Sequence, residues 1–272
     1  MAYHHRTISV GDIKTHFIEA GDGPDLVLFH GGEYGASAEI TWKYNLETLA
    51  QRFHVIAPDV LGWGETDKIY SFTDPAGLRI HHMKRFLETI GIGEACFVGN
   101  SAGGGLILRA SVRHPPPFQI RKMVTICGNA SVFKTQSQAD LENYTPSLEN
   151  MKKIVALLYH DPKWRTEENI RERYESSIAP GAWEALSAAR LRSPVHQNRS
   201  TTEEFVQKLS RLQTPLLIMS CEHDPLNQPD WDVNFQKIVP GSQVHRFKHS
   251  AHEPQIEETE EFNRVLTEFL LG

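Results

Sequence analysis

Cys96-Phe97-Val98-Gly99-Asn100-Ser101-Ala102-Gly103-Gly104-Gly105-Leu106-Ile107-Leu108 is the stretch whose reading decides the fold. A short apolar run ends at Gly99, and a helix-like apolar run begins near Leu106. Between them stands G-x-S-x-G, filled by Gly99, Ser101 and Gly103. The pattern predicts a strand, a sharp turn and a helix, with one hydroxyl at the apex. An apex residue in a strained backbone conformation needs small neighbours, which Gly99 and Gly103 supply. The glycines at 103, 104 and 105 let the helix start pack closely on the strand. The helix N-terminus turns its free N–H groups and positive end toward any oxyanion formed there. A Gly-rich turn with an incidental Ser is the plainer reading, but it leaves the strand and helix patterns on either side without a purpose.

A serine hydroxyl is a weak nucleophile until a base takes its proton. If Ser101 is the nucleophile, an acid and then a His must follow it in the chain. Leu216–Ser220 is an apolar strand that runs into Cys221-Glu222-His223-Asp224-Pro225. An acid just past the C-terminal end of a parallel strand faces the same sheet edge as the Ser101 turn. Asp224 is the candidate, with Glu222 the alternative in the same loop. The last strand, Gln243–Phe247, runs into His249-Ser250-Ala251-His252-Glu253-Pro254. His252 precedes the final helix and can turn toward Ser101 as general base and then general acid. His249 is its rival. Asp224 would hold the imidazole tautomer and stabilise its positive charge. His245, His249 and His252 have a spacing that suits a metal on a helix, but their segment has strand composition and no second ligand cluster accompanies it.

Around this centre the chain reads as alternating strands and helices. Thr7–Val10 and Lys14–Glu19 suggest an edge hairpin around Gly11-Asp12. Leu26–Phe29 and His54–Ala57 are continuous apolar runs, as expected of strands buried on both faces. The first ends in His30-Gly31-Gly32-Glu33, a loop suited to supply a second oxyanion donor through its backbone. His30 itself reads as structural. Trp42–Leu49 and Leu78–Thr89 read as helices, the Ser101 helix continues over Ile107–Arg113 until the triple Pro stops it, and Lys122–Ile126 reads as a strand. The pattern implies a mostly parallel sheet covered by helices on both faces. From about residue 131 to 210 no strongly apolar strand occurs. Helical segments are expected there instead, over Leu148–Tyr159, Glu167–Ser177, Ala182–Leu191 and Thr202–Leu209. Residues 1–130 and 211–272 then form the core, residues 131–210 a helical insertion, and Glu257–Leu271 a closing helix.

Composition narrows the function classes. Forty per cent hydrophobic residues over 272 positions can bury a large core. A net charge of −6, with Lys and Arg unclustered, argues against nucleic acid and anionic membranes as partners. Cys96, Cys127 and Cys221 form no CxxC pair and read as small buried hydrophobes in a reducing compartment. No apolar run approaches the roughly 20 residues of a membrane span, and the N-terminus lacks a signal-like stretch. The expectation is a cytoplasmic protein acting on a small molecule, with no cofactor and no metal. His4-His5 and His81-His82 are expected at the surface.

The chain resembles the α/β-hydrolases over essentially its whole length. Within them it is similar to the meta-cleavage-product hydrolases, which cut carbon–carbon bonds in vinylogous diketones from aromatic-ring degradation. The residues carrying the closer resemblance are His30-Gly31-Gly32, Gly35-Ala36-Ser37, Gly99-Asn100-Ser101, Ala189-Arg190-Leu191 and His252-Glu253-Pro254-Gln255. The resemblance implies an eight-stranded core, a helical lid, a buried site between them and a possible homodimer. It implies that Gly32 and Ala102 supply the oxyanion N–H groups. It also implies that Asn100 and Arg190 contact the polar end of the substrate, with Gly31, Thr41 and Glu253 beside it. Four positions depart from the family: Glu33-Tyr34 replaces a usual Gly-Pro, Thr41 a frequent Asn, and Glu253 an aromatic residue. Glu33 brings negative charge beside the oxyanion loop, which disfavours an anionic dienolate unless its carboxylate turns away or is protonated.

Three readings follow. In the first, a 2-hydroxy-6-oxo-dienoate is ketonised with help from His252 and its carbonyl is attacked by Ser101 or by water. The second is a carboxylesterase or lactonase using the same triad, which Glu33, Thr41 and Glu253 favour. The third is a non-catalytic receptor on a hydrolase scaffold. Phe133, Tyr144, Leu157, Leu158, Trp164 and Trp183 are candidates to shape an aromatic pocket.

Overall fold

The computed structural model describes residues 3–133, 135–191 and 202–272. Eight strands form one sheet: β1 (His4–Val10), β2 (Ile13–Ala20), β3 (Asp25–Phe29), β4 (His54–Pro58), β5 (Glu94–Asn100), β6 (Gln119–Ile126), β7 (Leu216–Cys221) and β8 (Gln243–Phe247). Their order is β1-β2-β4-β3-β5-β6-β7-β8. Only β2 runs against its neighbours, pairing antiparallel with β1 and β4. The apolar strands are explained by having two cores to serve. Successive side chains of a strand point to opposite faces. Val27, Phe29 and Phe97 accordingly enter one core, and Leu26, Leu28, Cys96 and Val98 the other.

The helices are α1 (Ala38–Trp42), α2 (Leu46–Leu49), α3 (Pro75–Thr89), α4 (Ala102–Ser111), α5 (Gln136–Glu142), α6 (Leu148–Leu158), α7 (Glu167–Ser177), α8 (Ala182–Ser187), α9 (Thr202–Leu209), α10 (Trp231–Ile238), α11 (Pro254–Glu257) and α12 (Thr259–Leu271). Residues of α3, α4, α9 and α10 pack with the Val27 core, and those of α1, α2 and α12 with the Leu26 core. A third apolar cluster lies among α6 and α7: Met151, Ile154, Val155, Leu158 and Ile170 meet Tyr34 and Leu226 of the loops below and Ile256 of α11.

Several boundaries differ from the sequence reading for local reasons. Asn45 splits the expected Trp42–Leu49 helix in two. Its side-chain amide donates to the Gln255 carbonyl at 3.0 Å and to Asn263 Oδ1 at 3.0 Å, so it serves a tertiary link. The helix after Ser101 begins at Ala102 and includes all three glycines. Pro75 and the Asp74 side chain, which accepts from Gly77 N at 2.8 Å, start α3 three residues earlier than expected. Helices α5 and α10 were not anticipated; both start after capping or turn residues that lack a strong apolar stripe. His82 is buried, contrary to the expected surface placement, because its Nε2 pairs with Thr15 Oγ1 at 2.9 Å beneath α3. All three cysteines are buried and unbridged. Among the described residues no helix is long and apolar enough to cross a membrane.

Candidate active site

Strand β5 delivers Ser101 at a backbone φ of 50° and ψ of −112°. This is a left-handed, strained geometry for a residue with a side chain. It survives because the turn has no room to relax: a Cβ on Gly99 would stand 2.3 Å from the Gly103 carbonyl carbon. Ser101 N also donates to the Ile126 carbonyl at 2.7 Å, tying the apex to β6. The loop after β3 crosses directly opposite. A Cβ on Gly32 would lie 2.5 Å from Ala102 Cβ, so only glycine lets this backbone approach the start of α4.

The acid and the imidazole come from the ends of β7 and β8. His252 Nδ1 donates to Asp224 Oδ2 at 2.9 Å, and both side chains are almost wholly buried. Asp224 is itself held: Oδ1 accepts from Leu226 N at 2.9 Å and Oδ2 from Asn227 Nδ2 at 2.7 Å. His252 N donates to the Leu158 carbonyl of α6 at 2.9 Å, and its carbonyl accepts from Asn100 Nδ2 at 3.2 Å. With Nδ1 engaged, Nε2 is left buried and without a partner among the described residues. Burial pulls the His252 pKa down, but the charge and hydrogen bond of Asp224, with Glu33 and Glu253 adding, raise it overall. The rivals stand elsewhere. Glu222 and His249 are exposed, and Glu222 lies 3.8 Å from Arg246. His30 is buried, with Nε2 accepting from Val60 N at 2.9 Å, and burial keeps it neutral.

Ser101, Gly31, Gly32, Ala102 and His252 all line one cavity of about 290 Å³ between the sheet edge and α5–α6. A pocket of this size fits a small-molecule ligand. The other expected contacts are less uniform. Asn100 lies behind the wall, its Oδ1 buried and unpartnered among the described residues. Thr41 is fully buried on α1, away from the cavity lining. Arg190 is exposed; its guanidinium donates to the carbonyls of Glu142 and Tyr144 and, at 3.2 Å, to Tyr34 Oη. It does not line the cavity, and of the six pocket-shaping side chains considered above only Leu158 does so.

Glu33 and Glu253 meet at a residue the sequence reading passed over. Arg173 of α7 is buried, donating from Nη1 to Glu33 Oε1 at 2.7 Å and from Nη2 to Glu253 Oε2 at 2.6 Å. Tyr159 Oη accepts from the same Nη2 at 2.7 Å. Burial works against both carboxylates, and Arg173 offsets it: Glu33 ends below the usual carboxylate range. Glu253 does not escape, and burial with the Glu33 charge pushes it up to about 7. A signal for Arg173 existed in the helix period. It lies on the same face as Ile170 and Ser177, three residues after one and four before the other, and all three are buried.

Cys127, Asp224 and His252 place ligand-type atoms within 4.8 Å of one another. The set does not suit a cation. Burial pushes the Cys127 thiol well above its usual value, so it stays protonated, and Asp224 and His252 bond each other.

Comparison with known proteins agrees with this architecture. A model of the alpha/beta hydrolase fold matches residues 24–259. The chain belongs to the α/β-hydrolase fold family. It is 27% identical over 97% of its length to 2-hydroxy-6-oxo-2,4-heptadienoate hydrolase of Pseudomonas putida, covering 95% of that protein. It is 29% identical to a 2-hydroxymuconate semialdehyde hydrolase of Pseudomonas putida, over 97% of this chain and 93% of the relative. Among solved structures, the meta-cleavage product hydrolase CumD of Pseudomonas fluorescens superposes with a TM-score of 0.86 at 28% identity, covering 97% of each chain. In an α/β-hydrolase, a serine on such a turn, a carboxylate-held imidazole and two facing backbone N–H groups can activate a hydroxyl and stabilise a tetrahedral oxyanion.

Proposed function

We propose that this protein hydrolyses a carbon–carbon bond in a vinylogous diketone of the 2-hydroxy-6-oxo-dienoate type, with Ser101, His252 and Asp224 as its catalytic triad. The observation that carries the chemistry is the unpartnered His252 Nε2 on the wall that also presents Ser101. The choice of bond rests on the relatives, whose names describe that reaction over nearly the full chain. His252 first helps the enol become a ketone, which makes the bond cleavable. Ser101, or water activated by His252, then adds to the carbonyl, and the N–H groups of Gly32 and Ala102 receive the oxyanion. As the carbon–carbon bond breaks, its electron pair moves into the dienolate, which takes a proton. On the serine route water then releases the acyl group as a carboxylic acid, and on the water route the cleavage gives that acid directly, so one water is consumed and the products are the acid and a 2-hydroxy-dienoate. The objection raised by Glu33 is met by its ion pair: Arg173 neutralises the charge beside the oxyanion loop.

An ester or lactone hydrolase using the same triad is the second reading. The observation favouring it is that Arg190, the carboxylate contact implied by resemblance, is exposed and bonded to lid carbonyls. A side-by-side assay decides. Loss of the visible absorbance of a 2-hydroxy-6-oxo-dienoate at a rate well above cleavage of a short nitrophenyl ester supports the carbon–carbon reading; the reverse order replaces it with the second. We also propose that residues 131–210 act as a lid over the core of 1–130 and 211–272, that the protein works in the cytoplasm, as its buried unbridged cysteines favour, and that it pairs as a homodimer, on resemblance alone.

A further inference from the structure

Arg79 of α3 lines the same cavity as Ser101 and His252. It is half-buried, and its guanidinium carbon sits 4.4 Å from the centre of the Trp63 ring. Among the described residues no carboxylate, carbonyl or hydroxyl accepts a hydrogen bond from it. That is an unusual state for a guanidinium with five donors in a desolvated wall. The other arginines near the site are engaged. Arg173 is shared by two carboxylates, Arg109 donates to the Ala130 carbonyl at 2.7 Å, and Arg190 is spread over two carbonyls and a tyrosine. Burial alone drags Arg79 down to about 10, still cationic at neutral pH.

Its position is fixed rather than incidental. Trp63, on which it stacks, is 7% exposed and donates from Nε1 to the Glu33 carbonyl at 3.1 Å. The stack therefore braces Arg79 against the loop that carries Gly31 and Gly32. The acidic groups around it are spent or remote from its role. Glu33 is paired to Arg173, and Glu142, which also lines the cavity, is an exposed residue at its rim.

We propose that Arg79 is the anchor for a substrate carboxylate, gripping it by the planar two-donor contact that guanidinium offers and selecting substrates that carry an acid group besides the scissile carbonyl. This rests on the hydrolase reading and places a cation on the wall of its substrate pocket, joined through Trp63 to the oxyanion loop. It assigns to Arg79 the role that resemblance implies for Arg190.

The test compares two nitrophenyl esters that differ only by a terminal carboxylate, the hemiglutarate and the butyrate. Both need only the serine chemistry, so absence of dienoate cleavage speaks against the carbon–carbon reading and leaves this test standing. The wild-type enzyme should prefer the hemiglutarate in kcat/KM. Arg79→Met should lower that preference by about 10- to 100-fold, mainly through KM, as expected for losing a charge-assisted hydrogen bond. Arg79→Lys should restore part of it. A change below about threefold in Arg79→Met, judged against that same range, overturns the proposal, as does an equal fall in Arg190→Met. If Arg79→Met does not fold, the lysine variant and the wild type still decide: a wild-type enzyme indifferent to the carboxylate refutes the anchor without any variant.

Discussion

His252 and Glu253 are neighbours in the chain, yet they belong to two buried polar clusters built on opposite principles. His252 and Asp224 leave one ring nitrogen without a partner among the described residues, on a side chain that lines the cavity. Glu253, Glu33, Arg173 and Tyr159 close on themselves, each charged group met by at least one partner. A buried unsatisfied polar atom costs free energy, so an open cluster persists only where the fold holds it and something else can complete it. A closed cluster needs no visitor. On the reading proposed above, the difference separates a site that acts on a ligand from a cluster that ties helix α7 to Glu33 and Glu253.

The comparison breaks most sharply at Ser101. If the open cluster is the catalytic one, Ser101→Ala should lower kcat by about 10⁴-fold or more, and Asp224→Asn by a similar order, since the imidazole then loses its tautomer control. Circular dichroism and the urea midpoint should move little for Ser101→Ala. Full activity in that variant would remove the nucleophile assignment.

The closed cluster should respond in stability instead. Arg173→Met strands two carboxylates whose side chains are 3% and 0% exposed. Breaking a buried ion pair from one side costs about 3–5 kcal/mol. The triple change Arg173→Met, Glu33→Gln, Glu253→Gln removes the stranded charges and should recover most of that loss in the urea midpoint. A single Arg173→Met protein as stable as the wild type would show that the cluster is not what fastens α7.

The open cluster was legible in the sequence and the closed one was not, for physical reasons. Ser101, Asp224 and His252 each follow a strand, and strand ends on a parallel sheet share an edge, so one-dimensional order already implies convergence. Gly32 was named through the family resemblance, and the fold supplies the reason for a glycine there: a Cβ would lie 2.5 Å from Ala102 Cβ. Arg173 sits in a helix of Glu, Arg and Ser whose polarity reads as solvated, and only its period places it inward beside Ile170. Glu33 and Glu253 were noticed as departures, but two acids 220 positions apart name no common cation until the chain is folded. Arg79 escaped for a related reason: on α3 it is one cation in a mixed helix, and the cavity it lines is assembled from loops and helices far apart in the chain.

The smallest effect is in pH dependence, where the two clusters act together. Burial, with Glu33 adding and Arg173 opposing, raises Glu253 from the usual 4.5 to about 7. Asp224, outweighing burial, raises His252 above the usual 6.5. A group whose pKa is raised on folding holds its proton more tightly in the native state. Its stabilising contribution is complete below the unfolded pKa and is lost as pH rises through the folded value. Glu33, lowered from 4.5, has the opposite sign, and its contribution is lost only as pH falls through that lower value. Between about pH 5 and 8 the first two groups dominate, so stability should fall as pH rises, by an amount on the order of 2 kcal/mol. Glu253→Gln removes one of them and should flatten the slope of urea midpoint against pH, leaving the part due to His252. An unchanged slope would mean that Glu253 stays ionised beside Arg173 throughout, and that the closed cluster holds its net negative charge at every pH at which the enzyme works.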